Sequence, residues 1–125
     1  MVRASDVFAC CSTQESYPAV ILEAMAFELP IITTTVYGIA EQVIPNVSAL
    51  TFAPGDVGTL ARHMESLLDS PTERRRLGES ALCNLGAIIS HQEMVEDYEQ
   101  LFLEAFVAGA KDLPRERVLY RRGVA

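Results

Sequence analysis

Two carboxylates in the first quarter of the chain are the side chains best suited to chemistry. Glu15 lies in a polar segment behind a short apolar run, and Glu23 is the only charged residue between Pro18 and Phe27. A carboxylate in so apolar a helix is costly to bury unless it has partners. Because a helix rises ~1.5 Å per residue, both acids can approach one cleft at its N-terminal end. The alternative interpretation is that Glu23 faces solvent and Glu15 is an ordinary loop acid.

The elements around these acids follow a strand–helix alternation. Apolar, β-branched runs predict three strands, at Val7–Cys11, Ile31–Val36 and Leu50–Phe52. Ala19–Phe27 predicts a buried helix beginning near Pro18, and Gly38–Val43 predicts one or two helical turns. This order implies parallel βαβ units with right-handed crossovers.

The predicted sheet directs attention to the Ser12–Tyr17 loop. In open parallel sheets, ligands bind outside the carboxyl ends of the strands. This loop follows the first strand and leads into the helix near Pro18, whose free N–H groups and dipole favour an anion. We therefore expect an anionic ligand at this position.

The second half of the chain is typical of charged amphipathic helices. Asp56 can cap one helix, and the Ser70–Glu73 and Ser90–Glu93 segments are capping boxes for two more. The apolar positions recur at helical spacing, and we expect them to face a core. They are Val57, Leu60, Ala61, Met64, Leu67 and Leu68; Leu77, Ala81 and Leu85; and Met94, Tyr98, Leu101, Phe102, Ala105 and Phe106. His63 and His91 are expected at a surface and in a cap.

Composition limits the possible classes of protein. The chain has 125 residues, is 50% hydrophobic, and carries a net charge of −7. These values exclude intrinsic disorder and argue against nucleic acid as a main partner. We see no secretory signal and no apolar run of the ~20 residues that a membrane helix needs, so we expect a cytoplasmic protein. Cys10, Cys11 and Cys83 are expected to be small core residues in a reducing compartment.

The order of residues around the two acids resembles a known family. The matching text is Ala4-Ser5-Asp6-Val7-Phe8, Ser12, Glu15 through Ala26, Leu29-Pro30-Ile31-Ile32, Gly38-Ile39-Ala40-Glu41, Pro54-Gly55-Asp56, Leu60-Ala61 and Arg76-Leu77-Gly78. It is similar to the nucleotide-sugar-binding segment of retaining glycosyltransferases of the GT-B fold, specifically glycosyltransferase family 4. The resemblance covers roughly residues 3–106, and the spacing of the two glutamates is its most specific part.

The resemblance implies an activity and a role for each site residue. The implied activity is transfer of a sugar from a nucleotide-diphosphate sugar to an unknown acceptor, with retention. Glu15 matches the glutamate beside the donor sugar and diphosphate, and we assign it as catalytic. Glu23 matches the one that hydrogen-bonds the ribose hydroxyls. Backbone groups of Ser16, Tyr17 and the neighbours of Pro18 face the sugar or phosphate. Family members usually need no bound metal, so we expect no cofactor and no metal site.

Three positions depart from the family pattern. The family usually has glycine at the positions of Glu28 and Tyr37, and near Ala49. We expect the larger side chains to alter the rim of the cleft.

The resemblance also implies that this chain is the second half of a GT-B C-terminal domain. The acceptor domain, and the basic residues that neutralise the diphosphate, are expected upstream of residue 3. We expect a Rossmann-like parallel sheet with flanking helices over residues 1–109, a helical C-terminus, and a basic tail over residues 110–125 that is solvated or touches a membrane surface.

Two functions remain open for the chain by itself. The first is an enzyme fragment with little or no activity of its own. The alternative is a noncatalytic half-domain that binds a nucleotide sugar weakly or mediates association. In either case an exposed apolar strand edge predicts a homo-oligomer.

Overall fold

Three parallel strands form the sheet of the described chain. The structure, a computed structural model, describes residues 5–88 and 90–108. The strands are β1 (Phe8–Cys10), β2 (Ile31–Thr34) and β3 (Leu50–Phe52), in the order β1-β2-β3. Both pairings are parallel, with Phe8 opposite Ile31 and Ile32 opposite Leu50. The predicted α/β class is confirmed, and β1 and β2 are shorter than the apolar runs that contain them.

Five helices complete the described chain. They are α1 (Ala19–Ala26), α2 (Ile39–Gln42), α3 (Val57–Asp69), α4 (Pro71–Ala87) and α5 (His91–Ala108). The predicted helix starts are confirmed, because Pro18, Asp56 and Ser70 are the residues that precede α1, α3 and α4.

The two faces of the sheet carry separate apolar clusters. On β2, Ile31 packs with residues of α1 and α2 such as Ile21 and Ile39, and the next residue, Ile32, packs with Leu67 of α3. Successive strand residues point to opposite faces, so this alternation places helices on both sides of the sheet. Such double coverage is the usual arrangement of parallel strands.

The end of α1 is held close to α4. A Cβ added at Gly78 would lie 2.0 Å from the carbonyl oxygen of Glu28, so only glycine allows this approach. Glu28 itself has φ 53°. Its N–H donates to Met25 and the N–H of Leu29 donates to Ala24, which together form a Schellman motif. Glu28 thus adopts the left-handed backbone that glycine takes most easily.

The predicted inward face of α3 is only partly buried. Leu67 is fully buried and Leu60 is half-buried, but Val57 and Leu68 are each 72% exposed. The prediction was wrong for Val57, Ala61, Met64 and Leu68 because α3 covers the sheet with a narrow stripe. His63, expected at the surface, is half-buried, and its Nε2–H donates to the Thr51 carbonyl at 3.0 Å.

The three cysteines are free thiols, but two of them are not core residues. Cys10 is half-buried on β1 and packs against a core cluster. Cys11 and Cys83 are exposed, which corrects the prediction. Cys11 follows the end of β1, and Cys83 lies on the outer face of α4, between the inward residues Ala81 and Leu85.

The chain divides into two compact units after Ile88. The second unit contains α5, whose start has a complete capping box: the Ser90 N–H donates to the Glu93 carboxylate at 2.7 Å and the Glu93 N–H donates to the Ser90 hydroxyl at 3.2 Å. The prediction that the apolar residues of α5 face a core was wrong for Tyr98, Phe102 and Phe106, which are 54%, 69% and 89% exposed. Helical spacing predicts which residues share a face of the helix, but not whether another element packs against that face.

The aromatic rings of α5 contact one another instead. Those of Tyr98 and Phe102 stack with centroids 6.4 Å apart. Of Ala105 the structure describes the backbone only. The predicted boundary at residue 109 and the basic tail lie outside the described residues. Within the described chain, no helix is both long and apolar enough to cross a bilayer.

Candidate functional site

The loop between β1 and α1 contains the first of the two glutamates. It begins at the carboxyl end of β1, where ligands of parallel sheets bind. The Ser12 hydroxyl donates to the Glu15 carboxylate at 3.2 Å and lies 3.6 Å from the Cys10 sulfur. Glu15 is half-buried. The loop therefore holds this carboxylate through its own first residues, close to the end of the strand.

Residues 34–42 fix the backbone of this loop. The Thr34 hydroxyl donates to the Ser12 carbonyl at 2.6 Å, and the Gln42 side-chain amide donates to the Pro18 carbonyl at 3.1 Å. Gly38 lies against Ser16, because a Cβ added there would stand 1.3 Å from the Ser16 carbonyl oxygen. Neither Thr34 nor Gln42 was predicted from the sequence. Gln42 follows the charged Glu41 in α2, so its local sequence carries no distinctive signal.

The start of α1 has no side-chain cap. Pro18 precedes the helix, and no side chain accepts a hydrogen bond from its first turn. Pro18 has no N–H, and its carbonyl accepts from both Ile21 N–H at 3.2 Å and Gln42. Ser16 and Tyr17 are exposed beside it, with Tyr17 at 44%. Three of the four predicted donor-binding residues, Ser16, Tyr17 and Pro18, are therefore consecutive in one turn, in which Pro18 offers no N–H donor, and the fourth, Glu23, lies further along in α1.

Glu23 lies on an exposed face of α1, which is the alternative interpretation given in the sequence analysis, so the prediction of a buried helix is correct for one face only. Ala19, Val20, Ala26 and Phe27 share this exposed face with Glu23. The other side of the helix is in the core. Burial therefore does not explain this charge, and no ion pair of the described residues involves Glu23. The two glutamates belong to one loop–helix unit, but no hydrogen bond joins them.

Tyr37 forms part of the surroundings of the loop. It is 70% exposed and has φ 44°, next to the glycine that contacts Ser16. A tyrosine here keeps the left-handed backbone that glycine favours. Ala49, near the third position at which the family has glycine, is fully buried.

An apolar groove lies apart from these residues. It has a volume of about 180 Å³ and is lined by Val7, Ala9, Met64 and Leu68. The groove contains none of the predicted site residues. Among the described side chains, no group of three or more His, Cys, Asp or Glu residues is arranged to hold a metal ion.

Comparison with known proteins bears directly on this loop–helix unit. The family model described as "Glycosyl transferases group 1" matches residues 1–82, which include Glu15, Glu23 and the contacts from residues 34–42. The chain belongs to this family. The group 1 match ends within α4, so it includes all three strands and α1 to α3.

Individual group 1 relatives are longer proteins. Glycogen synthase of Mycobacterium tuberculosis is 29% identical over 115 residues, which are 92% of this chain and 28% of that enzyme. The capsular polysaccharide biosynthesis glycosyltransferase CapM of Staphylococcus aureus is 27% identical over 97 residues, or 78% of this chain and 26% of CapM. The chain thus spans about a quarter of the length of the relatives it matches.

Solved structures share the fold. Sucrose-phosphate synthase from Thermosynechococcus elongatus matches with a TM-score of 0.76 at 29% identity, over 86% of this chain and 27% of that one. Anabaena HepE, solved in complex with UDP-glucose, matches with a TM-score of 0.72 at 23% identity, over 80% of this chain and 29% of HepE. The Rossmann-like sheet of this group 1 chain therefore has the architecture of GT-B glycosyltransferases.

Proposed function

We propose that this chain is the donor-binding part of a retaining glycosyltransferase of family 4, which transfers a sugar from a nucleotide-diphosphate sugar to an acceptor. One observation carries the proposal: the segment from Glu15 to Glu23 forms an anchored loop followed by a helix whose first turn has no side-chain cap. Such a turn offers free N–H groups and a positive dipole to a diphosphate. The family membership supports the same assignment.

Different residues of the loop–helix unit contact different parts of the donor. The diphosphate lies against the N–H groups at the start of α1 and those of Ser16 and Tyr17. The ribose hydroxyls donate to Glu23, whose side chain is exposed. Glu15 lies beside the sugar. In the transfer, the bond between the anomeric carbon and the phosphate oxygen breaks, the nucleoside diphosphate leaves with the electron pair, and the acceptor oxygen bonds to that carbon. The acceptor's proton passes to the leaving phosphate.

We propose that the reaction uses no resident cofactor or metal, as the resemblance to family 4 implies. UDP is the first probe of the nucleotide, because HepE was solved in complex with UDP and with UDP-glucose. We also propose a cytoplasmic location, because Cys10, Cys11 and Cys83 are free thiols and thiols persist in reducing compartments.

A titration of the 125-residue chain with UDP tests donor binding. Amide resonances of Ser16, Tyr17, Ala19 and Val20 in the ¹⁵N-labelled chain should shift in one saturable process. The amide of Thr59, at the capped start of α3, should not shift and serves as the internal control. Parallel titrations with ADP and GDP show which base the chain prefers. A titration with uridine shows how much of the binding depends on the diphosphate. The proposal is contradicted if UDP, ADP and GDP all fail to give a saturable shift up to about 10 mM, a concentration that would detect even very weak binding.

A substitution at Glu15 tests the chemical role. In a complete enzyme that contains this segment, Glu15→Gln should lower turnover by about 100-fold, the usual loss when one electrostatic contact in the transition state is removed. Donor affinity should change much less. Glu65→Gln, which alters an exposed acid of α3, is the matched control. Equal turnover of the variant and the parent enzyme would remove Glu15 from the catalytic site.

The chain alone should bind donor weakly and transfer no sugar. It spans 28% of the mycobacterial glycogen synthase, and residues 5–56 contain no lysine or arginine to neutralise a diphosphate. We also propose that the isolated chain self-associates through β1, an edge strand of the described sheet whose Ala9 is exposed beside the apolar groove. Light scattering over a dilution series should show a dimer or larger species, and a stable monomer at micromolar concentration would refute this.

A further inference from the structure

Gln42 is a buried amide whose side chain is only half satisfied. It is 1% exposed, and its Nε2 donates to the Pro18 carbonyl at 3.1 Å. Its Oε1 is buried and has no hydrogen-bond partner in the part of the chain that the structure describes. A buried acceptor without a partner is destabilising, whereas an apolar side chain of similar size would avoid that cost. Two nearby apolar residues, Ile39 of α2 and Val43 just after it, are buried in the core. Packing alone therefore does not account for a glutamine here.

The contact that Gln42 makes is with the backbone that turns into α1. A trans peptide unit is planar, and its C=O and N–H point in opposite directions. The Pro18 carbonyl points toward Gln42 and Ile21 in the interior, so the N–H of Ala19, in the same peptide plane, points the other way, out of the start of the helix. Holding that carbonyl fixes the direction of the first free donor of α1.

Two further contacts act on the same loop. The Thr34 hydroxyl holds the Ser12 carbonyl at 2.6 Å, and Gly38 leaves room for the Ser16 carbonyl. Gln42 therefore makes the second of two side-chain hydrogen bonds to this loop, and it acts at the end of the loop that precedes α1. The carbonyl of Gln42 is itself held by the side-chain amide of Asn84 at 2.7 Å, which connects α2 to α4.

We propose that Gln42 is a positioning residue that orients the N–H groups at the start of α1 toward the diphosphate of the donor, a role that rests on the proposed function. It does not touch the ligand. It aligns the Pro18–Ala19 peptide before the ligand arrives, so the turn does not have to be ordered when the ligand binds.

The test uses Gln42→Met in the full 125-residue chain, because methionine has a similar length and no donor. Gln42→Leu is the second variant if methionine packs poorly. Thr33→Val is the matched control: Thr33 is also fully buried, and its hydroxyl donates only to the neighbouring Thr34 carbonyl at 3.2 Å. For each variant we would measure hydrogen exchange of the Ile21 amide, the affinities for UDP and uridine, and thermal unfolding.

We expect Gln42→Met to speed exchange at Ile21 and to weaken UDP binding, each by about two- to tenfold, the range for one neutral hydrogen bond. Uridine affinity should be unchanged. The unfolding temperature should be unchanged or higher. Parental exchange at Ile21 overturns the inference, as does equal weakening of UDP and uridine. If the parent chain binds none of UDP, ADP and GDP, the proposed function fails, but exchange at Ile21 still decides whether Gln42 orients the turn.

Discussion

The first turns of α1 and α3 are built in opposite ways. At α3 the Asp56 carboxylate accepts from the N–H of Thr59 at 2.9 Å and from its hydroxyl at 2.6 Å. At α1 the preceding residue is Pro18, no side chain caps the helix, and the first turn contains no acid. A cap occupies the donors and brings negative charge to the place where an anion would bind. The capped end is therefore closed to a diphosphate, and the uncapped end is open to one.

The starts of α4 and α5 are like that of α3. Ser70 caps α4, with Glu73 in its first turn, and Ser90 and Glu93 cap α5. Only α1 among these four helices combines an uncapped start with a loop held from outside by Thr34 and Gln42. The comparison shows two ways of holding a helix start: α1 is held through carbonyls of the loop before it, whereas α3, α4 and α5 are held through N–H groups of their first turns.

The largest expected effect comes from making α1 like α3. Pro18→Asp adds a carboxylate cap, which occupies first-turn donors and repels a diphosphate at short range. UDP affinity of the chain should fall by roughly 5- to 900-fold, because two like charges a few ångströms apart in a partly screened site cost roughly 1–4 kcal/mol. Pro18→Ala is the control, since it removes the ring without adding charge. UDP affinity of Pro18→Asp equal to that of Pro18→Ala would mean that the diphosphate does not bind at this helix start.

Glu23 should have the next largest effect. Loss of a hydrogen bond to a charged group costs about 1.5–3 kcal/mol, so Glu23→Gln should weaken UDP binding by roughly 10- to 150-fold. The variant should fold normally, because Glu23 is exposed. Glu65→Gln on α3 is the matched control. Isothermal titration with UDP and with inorganic pyrophosphate separates the ribose from the phosphates. Unchanged UDP affinity would remove Glu23 from the site.

The sequence was sufficient to predict the order of elements. β3 was located to the residue, and the starts of α1, α3 and α4 followed from Pro18, Asp56 and Ser70, because strand composition and capping are local. The free N–H groups of α1 were also predictable, since proline cannot cap. These features depend on residues within a few positions of one another.

What could not be predicted depends on distant parts of the chain. Thr34 and Gln42 act on carbonyls 22 and 24 residues away, and no spacing rule connects them. The same dependence on distant residues explains why burial was wrongly predicted for several apolar side chains. The apolar faces of α3 and α5 were correct as faces, but whether Leu68 or Phe102 is covered depends on other elements, and both are exposed.

Removing a structural cap should have a moderate effect on stability and none on the ligand. The Ser70 hydroxyl accepts from the N–H of Glu73 at 3.2 Å. Ser70→Ala should lower the free energy of unfolding by about 1 kcal/mol, as is typical for a lost N-cap. UDP affinity should stay at the parental value. Ser80→Ala, the same change in the middle of α4, is the control and should be neutral or slightly stabilising. Urea denaturation measures the free energy of unfolding of both variants. A separate loss of UDP affinity in Ser70→Ala would show that the helix starts are not independent.

The smallest expected effect is a response of the capped end to acid. The pKa of Asp56 lies below its ordinary value of 3.8, because the hydroxyl and the N–H of Thr59 donate to the carboxylate. A carboxyl group whose pKa is lower in the folded state stabilises that state above its unfolded pKa, and this contribution is lost as the pH falls through the folded pKa. The cap of α3 should therefore weaken below pH 3.8, whereas the start of α1 has no titratable cap to lose.

An NMR pH titration can follow both helix starts in one sample. The Thr59 amide should shift with a midpoint below 3.8, and the amide of Val20 should not follow it. In Asp56→Asn, where a neutral amide oxygen can still accept from Thr59, the Thr59 amide should no longer titrate. A Thr59 midpoint at or above the ordinary value would mean that the cap is not formed in solution. A Val20 shift that tracks Thr59 in the parent and is lost in Asp56→Asn would mean that α1 and α3 share a charge, because Glu15 and Glu23 beside α1 are the same in both proteins.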